Sequence, residues 1–380
     1  MNILIAPNAF KNSLDASAAA DAIGEGLQRS TLECNLEYFP IGDGGDGTAE
    51  LIIKKCNGKI INVEVHQALG KNINTFYGLI DDDNTAVIEL ANASGIRLLQ
   101  KEELDPLKLT TYGTGELITD ALNRKVNKII LCIGGSATVD GGAGILQALG
   151  ARVLNHKNEV LQNIPGDLIE LSAIDLSGFD KRILNCETII LCDVENKLLG
   201  ENGAAKIFGP QKGASNEDVK KLEEALTKFR DVALRQTGKD MAAVKHGGAS
   251  GGVAAGLAVF CNANLVNGID YFLSITPFDH SLKNADLIIT GEGSIDEQTL
   301  NGKGPFGVAA KAKEKNIPVI GVAGRVPVTN NVQLQKYFDV LLSINDSTLI
   351  TDADIKNTKN NLIKTGKLIG DLLTIATKLK

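Results

Sequence analysis

The sequence predicts an α/β protein, built as a doubly wound, mostly parallel sheet domain with a second α/β domain inserted into it. Three observations carry this reading. Short continuous apolar runs, such as residues 128–133 (Lys-Ile-Ile-Leu-Cys-Ile) and 286–290, are of the buried parallel-strand type. Stretches with apolar residues at helical spacing separate them. Glycine clusters follow three of the apolar runs, so the order strand, glycine loop, helix recurs; in open α/β sheets ligands bind beyond the carboxyl ends of strands, where such loops lie.

Taken in order, residues 2–6 form an apolar strand, and Asp15 caps a helix whose face is Ala16, Ala19, Ile23 and Leu27. A strand over 36–41, a glycine loop and a helix over 49–56 follow. Residues 59–92 alternate apolar and polar side chains between Gly-Lys-Asn and Asp-Asp-Asp-Asn turn signals, which predicts an antiparallel meander. A helix over 116–125 leads to the strand at 128–133, and another buried strand spans 188–192. Ser215 with Asp218 is a capping-box pattern opening a helix with Val219, Leu222, Leu226, Phe229 and Ala233 on one face. A small-residue helix covers 253–260. Strands near 286–290, 317–322 and 338–343 alternate with helices at 304–315 and 357–378. The similar texture of the two ends places residues 1–60 and 265–380 in one domain, with 61–264 inserted.

The chain carries 40 glycines in 380 residues, above the roughly 7% average, with no collagen period. Its net charge of −7 argues against nucleic acid or an anionic membrane as partner. The first residues show no signal-peptide pattern, and no apolar stretch reaches membrane-spanning length. The six cysteines form no C-x-x-C pair, which suits a reduced, cytoplasmic protein.

No P-loop pattern occurs. Residues 42–47 (Gly-Asp-Gly-Gly-Asp-Gly) match G-x-G-x-x-G, but Asp43 and Asp46 would repel a bare pyrophosphate. They read better as metal or substrate-hydroxyl contacts, or as Asx caps of a turn. Lys11, beside Ser13 in the first strand-to-helix loop, can neutralise a phosphoryl or carboxylate oxygen, unless it is simply a solvated loop lysine. Gly135, Ser136 and Thr138 follow a buried strand, and their small side chains and free N–H groups suit an anion. Asp193 at a strand end can ligate Mg²⁺, accept a hydroxyl proton or cap the next turn. Lys212 sits in a stiff Gly-Pro-Gln-Lys-Gly turn. Gly291, Glu292, Gly293, Asp296 and Lys303 form the densest polar cluster, of a type suited to a Mg-phosphate site. These features point to phosphoryl transfer on a small molecule.

Several blocks resemble the bacterial class I glycerate kinases: residues 8–14 (Asn-Ala-Phe-Lys-Asn-Ser-Leu), 40–48, 112–118, 134–144, 192–196 with 200–214, 247–252, and most closely 286–310. They run in the family's order over most of the chain. The family pattern has Glu where Asp46 stands, Asn where Val139 stands and Pro where Lys197 stands. The resemblance implies two α/β domains, one Rossmann-like, with the active site in the cleft. It also implies ATP- and Mg²⁺-dependent phosphorylation of D-glycerate to 2-phosphoglycerate. For that reaction we infer from the residues themselves that Asp193 is a candidate base or hydroxyl-orienting group, and that Asp43, Asp46, Glu292 and Asp296 are metal or glycerate contacts. Lys11, Lys212 and Lys303 stabilise charge, and Gly135, Ser136 and Thr138 bind phosphate or carboxylate. A kinase of another hydroxy acid, a 3-phosphoglycerate-forming kinase and a non-catalytic metabolite-binding regulator remain as alternatives, and the assembly stays open between monomer and homodimer.

Overall fold

The structure, a computed structural model, describes residues 1–327, 331–345 and 352–379. The chain divides into two compact units, Met1–Asp43 with Asn267–Lys380, and Gly44–Val266. The strands are β1 (Asn2–Ile5), β2 (Asn35–Tyr38), β3 (Lys59–His66), β4 (Asn72–Ile80), β5 (Thr85–Glu89), β6 (Lys128–Cys132) and β7 (Arg152–Leu154). They continue with β8 (Ala173–Asp175), β9 (Glu187–Cys192), β10 (Asn264–Asn267), β11 (Leu287–Ser294), β12 (Val319–Arg325) and β13 (Val340–Ser343).

The first unit holds a five-stranded sheet, ordered β13-β12-β11-β1-β2, in which every neighbouring pair is parallel. Ile3, Leu4 and Ile5 are buried on both faces, as a central parallel strand requires. Asp15 caps the helix Ala16–Gln28 by accepting from the Ala18 amide, and Ala16, Ala19, Ile23 and Leu27 are buried. That helix packs against Asp352–Lys378. At Gly26 the backbones come so close that a Cβ would lie 2.2 Å from the Ile363 carbonyl oxygen. The two helices and the sheet enclose a core of Ile3, Ile5, Ile23, Ile289, Val322 and Leu362.

One sequence expectation is corrected here. The strand expected over 286–290, with a glycine loop after it, runs on to Ser294, so Gly291, Glu292 and Gly293 are strand residues. The reason is tertiary: β12 supplies parallel partners in register, Gly291↔Val322 and Glu292↔Ala323, which override the weak strand preference of glycine.

The second unit carries a mixed six-stranded sheet, ordered β10-β9-β6-β5-β4-β3, and the separate hairpin β7-β8. The meander β3-β4-β5 is antiparallel, as its alternation predicts, whereas the continuous apolar strands β5, β6 and β9 pair in parallel. The helix expected over 116–125 spans Tyr112–Asn123. Its early glycines hide the start, and tertiary packing demands them: a Cβ on Gly113 would meet the His66 carbonyl at 1.7 Å. The helix Asn216–Thr237 opens with the Ser215/Asp218 capping box and buries Leu222, Leu226, Phe229 and Ala233. Among the described residues no helix is long and apolar enough to cross a membrane.

Candidate active site

The sequence-predicted residues fall into two clusters, one in each unit. Asp43 belongs to the first and Asp46 to the second, so the two aspartates of the Gly-Asp-Gly-Gly-Asp-Gly loop serve different clusters.

In the first unit, the loop after β1 and the carboxyl end of β11 meet. The Asn8 amide nitrogen bonds to the Gly291 carbonyl at 2.8 Å. A Cβ on Gly293 would lie 3.8 Å from the Lys11 backbone nitrogen. Asn8 Nδ2 donates to Asp43 Oδ2 at 2.7 Å, and both residues are buried. Glu292 is buried nearby and accepts from Thr299 Oγ1 at 3.3 Å. Burial first, and the charge of Asp43 second, push its carboxyl up to about 7, while Lys303 and Lys11 pull the other way. Two carboxyls and two lysines thus share one neighbourhood. Asp296 caps the turn Glu297–Asn301, accepting from the Gln298 amide at 2.9 Å, and lies 4.0 Å from Arg325. Lys303 is the N-cap residue of the helix Gly304–Glu314. Ser13 Oγ donates to the Ile355 carbonyl at 2.7 Å, which ties the loop after β1 to the last helix.

In the second unit, the glycine loops after β6 and before the helix Thr48–Lys55 lie against one another. The Gly134 amide bonds to the Gly44 carbonyl at 3.0 Å, and a Cβ on Gly135 would stand 3.4 Å from Asp46. Glu89, at the end of β5, is buried and accepts from the amides of Gly47 at 2.8 Å and Ala49 at 3.0 Å. Burial, then the hydrogen bond to Asp46, pushes its carboxyl up to about 8. Arg97 approaches Asp46 at 3.5 Å and Glu89 at 3.8 Å.

Lys212 is buried, and its ammonium donates to Ser136 Oγ at 2.8 Å and the Thr138 carbonyl at 2.7 Å. Burial holds its pKa down to about 7, with Asp140 acting in the opposite direction. Asp140 is fully buried and accepts from the Thr111 amide and hydroxyl and from the amides of Gly142 and Gly144. Burial raises its pKa, and those four bonds work to lower it. The loop 134–144 is therefore fixed from both sides by buried opposite charges. Asp193 follows β9, and its loop is held by the third glycine cluster. The Gly248 amide bonds to the Asn196 carbonyl at 2.9 Å, and His246 Nδ1 lies 2.8 Å from the Val194 carbonyl.

Asn8, Glu89, Arg97 and Asp140 were not singled out from the sequence. Glu89 carried a usable signal, since a carboxylate interrupts the otherwise apolar run 86–90. The others show none, because their partners are distant in sequence.

Among the described residues, no group of three or more His, Cys, Asp or Glu is arranged to hold a metal ion. Mg²⁺ is commonly held by one or two carboxylates together with substrate phosphates, and the Asp43–Glu292 neighbourhood meets that smaller requirement.

The model of the glycerate kinase family matches residues 3–374. A glycerate kinase of Halalkalibacterium halodurans is 45% identical over 322 residues, 85% of either chain. A glycerate 2-kinase of Escherichia coli is 39% identical across 100% of this chain and 99% of its own. A crystal structure described as a glycerate kinase 2 from Salmonella typhimurium matches with a TM-score of 0.81 and 40% identity, covering 100% of this chain and 99% of that one. Similarity of this extent, over both units and all the loops described above, means that the chain belongs to the glycerate kinase family and is a phosphotransferase enzyme.

Proposed function

We propose that this enzyme transfers the terminal phosphoryl group of ATP to the 2-hydroxyl of D-glycerate, giving 2-phospho-D-glycerate, with Mg²⁺ as cofactor. The observation that carries the reading is the pairing of chemistries in the two clusters. One offers carboxyls with lysines, Asp43 and Glu292 beside Lys11 and Lys303; the other offers a glycine-rich loop backed by a buried ammonium. Phosphoryl transfer needs positioning and charge neutralisation rather than a covalent nucleophile, and these residue types supply both.

In this reading Asp43 and Glu292 would hold Mg²⁺, with Asp296 and Asp46 flanking their respective clusters. Bound Mg²⁺ neutralises charge on the phosphate oxygens. Lys11 and Lys303 counter the remaining negative charge. Gly135, Ser136 and Thr138 present N–H and hydroxyl groups to an anionic oxygen, in a loop kept in shape by Lys212 and Asp140. Ser13, Gly291 and Gly293 shape the backbone around Lys11. Asp193 orients the acceptor hydroxyl and takes its proton.

The test is ADP release by the pure protein. It should require both D-glycerate and Mg²⁺, and its product should yield phosphoenolpyruvate with enolase in the absence of a mutase. Turnover with a different hydroxy acid but not with D-glycerate would overturn the substrate. A product that enolase cannot use directly would overturn the position of phosphorylation.

A further inference from the structure

The last helix, Asp352–Lys378, buries one face and carries an apolar stripe on the other. Leu362, Ile363, Ile369 and Thr374 are buried against the rest of their unit. Leu368, Leu372 and Ile375, with Leu379 just past the helix end, are 52%, 54%, 55% and 83% exposed. At 3.6 residues per turn, the four-three-four spacing of these residues keeps all of them within an arc of about 60°. Among the described residues no other helix or strand presents more than one exposed large apolar side chain. Single exposed apolar residues are ordinary, whereas an aligned row marks a contact surface.

The row matches a second copy of itself. Apolar residues alternating at four and three form the seam of a two-helix coil. A two-fold axis laid across the row sets Leu372 against the partner's Ile375 and Leu368 against the partner's Leu379. Charge selects the direction of the pair. Asp371 and Lys378 lie on one flank of the seam, each one residue before a seam leucine. In an antiparallel pair that flank meets its own copy, so Asp371 falls beside the partner's Lys378, twice by symmetry. A parallel pair would set Asp371 beside the partner's Ala376, with no opposite charge to meet it. Asp371 already binds Lys367 of its own helix, and a carboxylate has lone pairs for both ammoniums.

The area agrees. The stripe exposes roughly 400 Å², as much as the largest apolar patch of an ordinary monomer. Two copies would bury about 800 Å² from it alone, and the stems of Lys364, Asp371 and Lys378 bring the pair to the roughly 1,000 Å² at which specific interfaces begin. We infer that residues 368–379 form the interface of a homodimer, in which the last helices of two copies pack antiparallel about a two-fold axis. The buried faces of the two helices then point away from each other, which leaves room for both copies.

Sedimentation equilibrium of the full chain without ligands should give, at micromolar concentrations, a mass twice the 40.2 kDa of one chain. Leu372→Lys puts a charge into the seam from both copies and should raise the dissociation constant about 100-fold or more, with an unchanged far-UV circular dichroism spectrum. Asp371→Lys and Lys378→Asp should each weaken the dimer about tenfold, because each turns two opposite-charge contacts into two like-charge ones. The double variant restores opposite charges and should return to within about threefold of wild type. A wild type that stays monomeric at these concentrations, or a dimer that survives Leu372→Lys, would overturn the interface. Single charge variants that dimerise as wild type does, or a double variant that fails to recover, would overturn the antiparallel pairing. Should Leu372→Lys fail to fold, the charge variants on the exposed flank decide the matter alone.

Discussion

Replacing Lys212 by Met removes a buried ammonium while keeping a side chain of similar length, so little cavity is left. The amine's pKa falls from 10.5 to about 7 on folding, because burial disfavours its charged form. That fall corresponds to about 5 kcal/mol against the folded state, felt in full below pH 7, where both folded and unfolded chains hold the proton. Opposing it are the two bonds to Ser136 and the Thr138 carbonyl, worth about 1.5–3 kcal/mol each when charge-assisted. The two contributions nearly cancel, so Lys212→Met should lie within about 2 kcal/mol of wild type near pH 7. The pH dependence is sharper. Between pH 7 and 10.5 the unfolded chain still holds a proton that the folded chain has released, so the cost is relieved as pH rises. Wild type should therefore gain on the variant by up to about 1.4 kcal/mol per pH unit, or roughly 2.5 kcal/mol between pH 7.5 and 9.5. Urea unfolding without ligands at several pH values measures this difference. A difference that stays flat with pH would refute the buried, pKa-lowered ammonium.

Asp193→Asn and Asp43→Asn should each lower kcat at least tenfold, about 1.4 kcal/mol of barrier, with little change in Tm; near-wild-type turnover removes that residue from the mechanism. Glu292 is raised to about 7 and must ionise to hold a cation, so kcat/KM should rise with pH through about 7. Glu292→Gln should flatten that limb as well as lower the rate, and an unchanged limb would assign it to another group. Asp140→Asn replaces one oxygen of a carboxylate that accepts four hydrogen bonds with an NH2 donor in a site without solvent, and should cost about 2–4 kcal/mol in chemical denaturation. A smaller loss would mean that the loop 134–144 does not depend on that carboxylate.

The secondary structure was legible where the signal is local. Asp15 ahead of Ala16, Ala19, Ile23 and Leu27 specifies a capped amphipathic helix by spacing alone, and the meander β3-β4-β5 follows from alternation. Reading failed where a neighbour supplies what the local sequence lacks. Gly291 and Glu292 look like loop residues until β12 pairs with them, and Gly113 and Gly115 look like helix breakers until packing requires them. The chemical inventory was legible in the same restricted sense. Asp43, Glu292, Lys303 and the loop around Ser136 stand out by residue type, whereas Asn8, Glu89 and Asp140 acquire meaning only from what they touch.

The sequence by itself determined the order of strands and helices, the glycine-rich turns and the stock of carboxylates, lysines and hydroxyls. Those depend on spacings of two to four residues, which any segment carries within itself. Only the tertiary structure decided the state of those groups. Lys212 meets Ser136 across 76 positions of the chain, and Asp140 meets Thr111 across 29. Whether a lysine is a solvated loop charge or a buried ammonium near neutrality depends on desolvation and on partners brought from afar. The same holds for a serine hydroxyl, which water satisfies at the surface and which burial leaves dependent on protein partners.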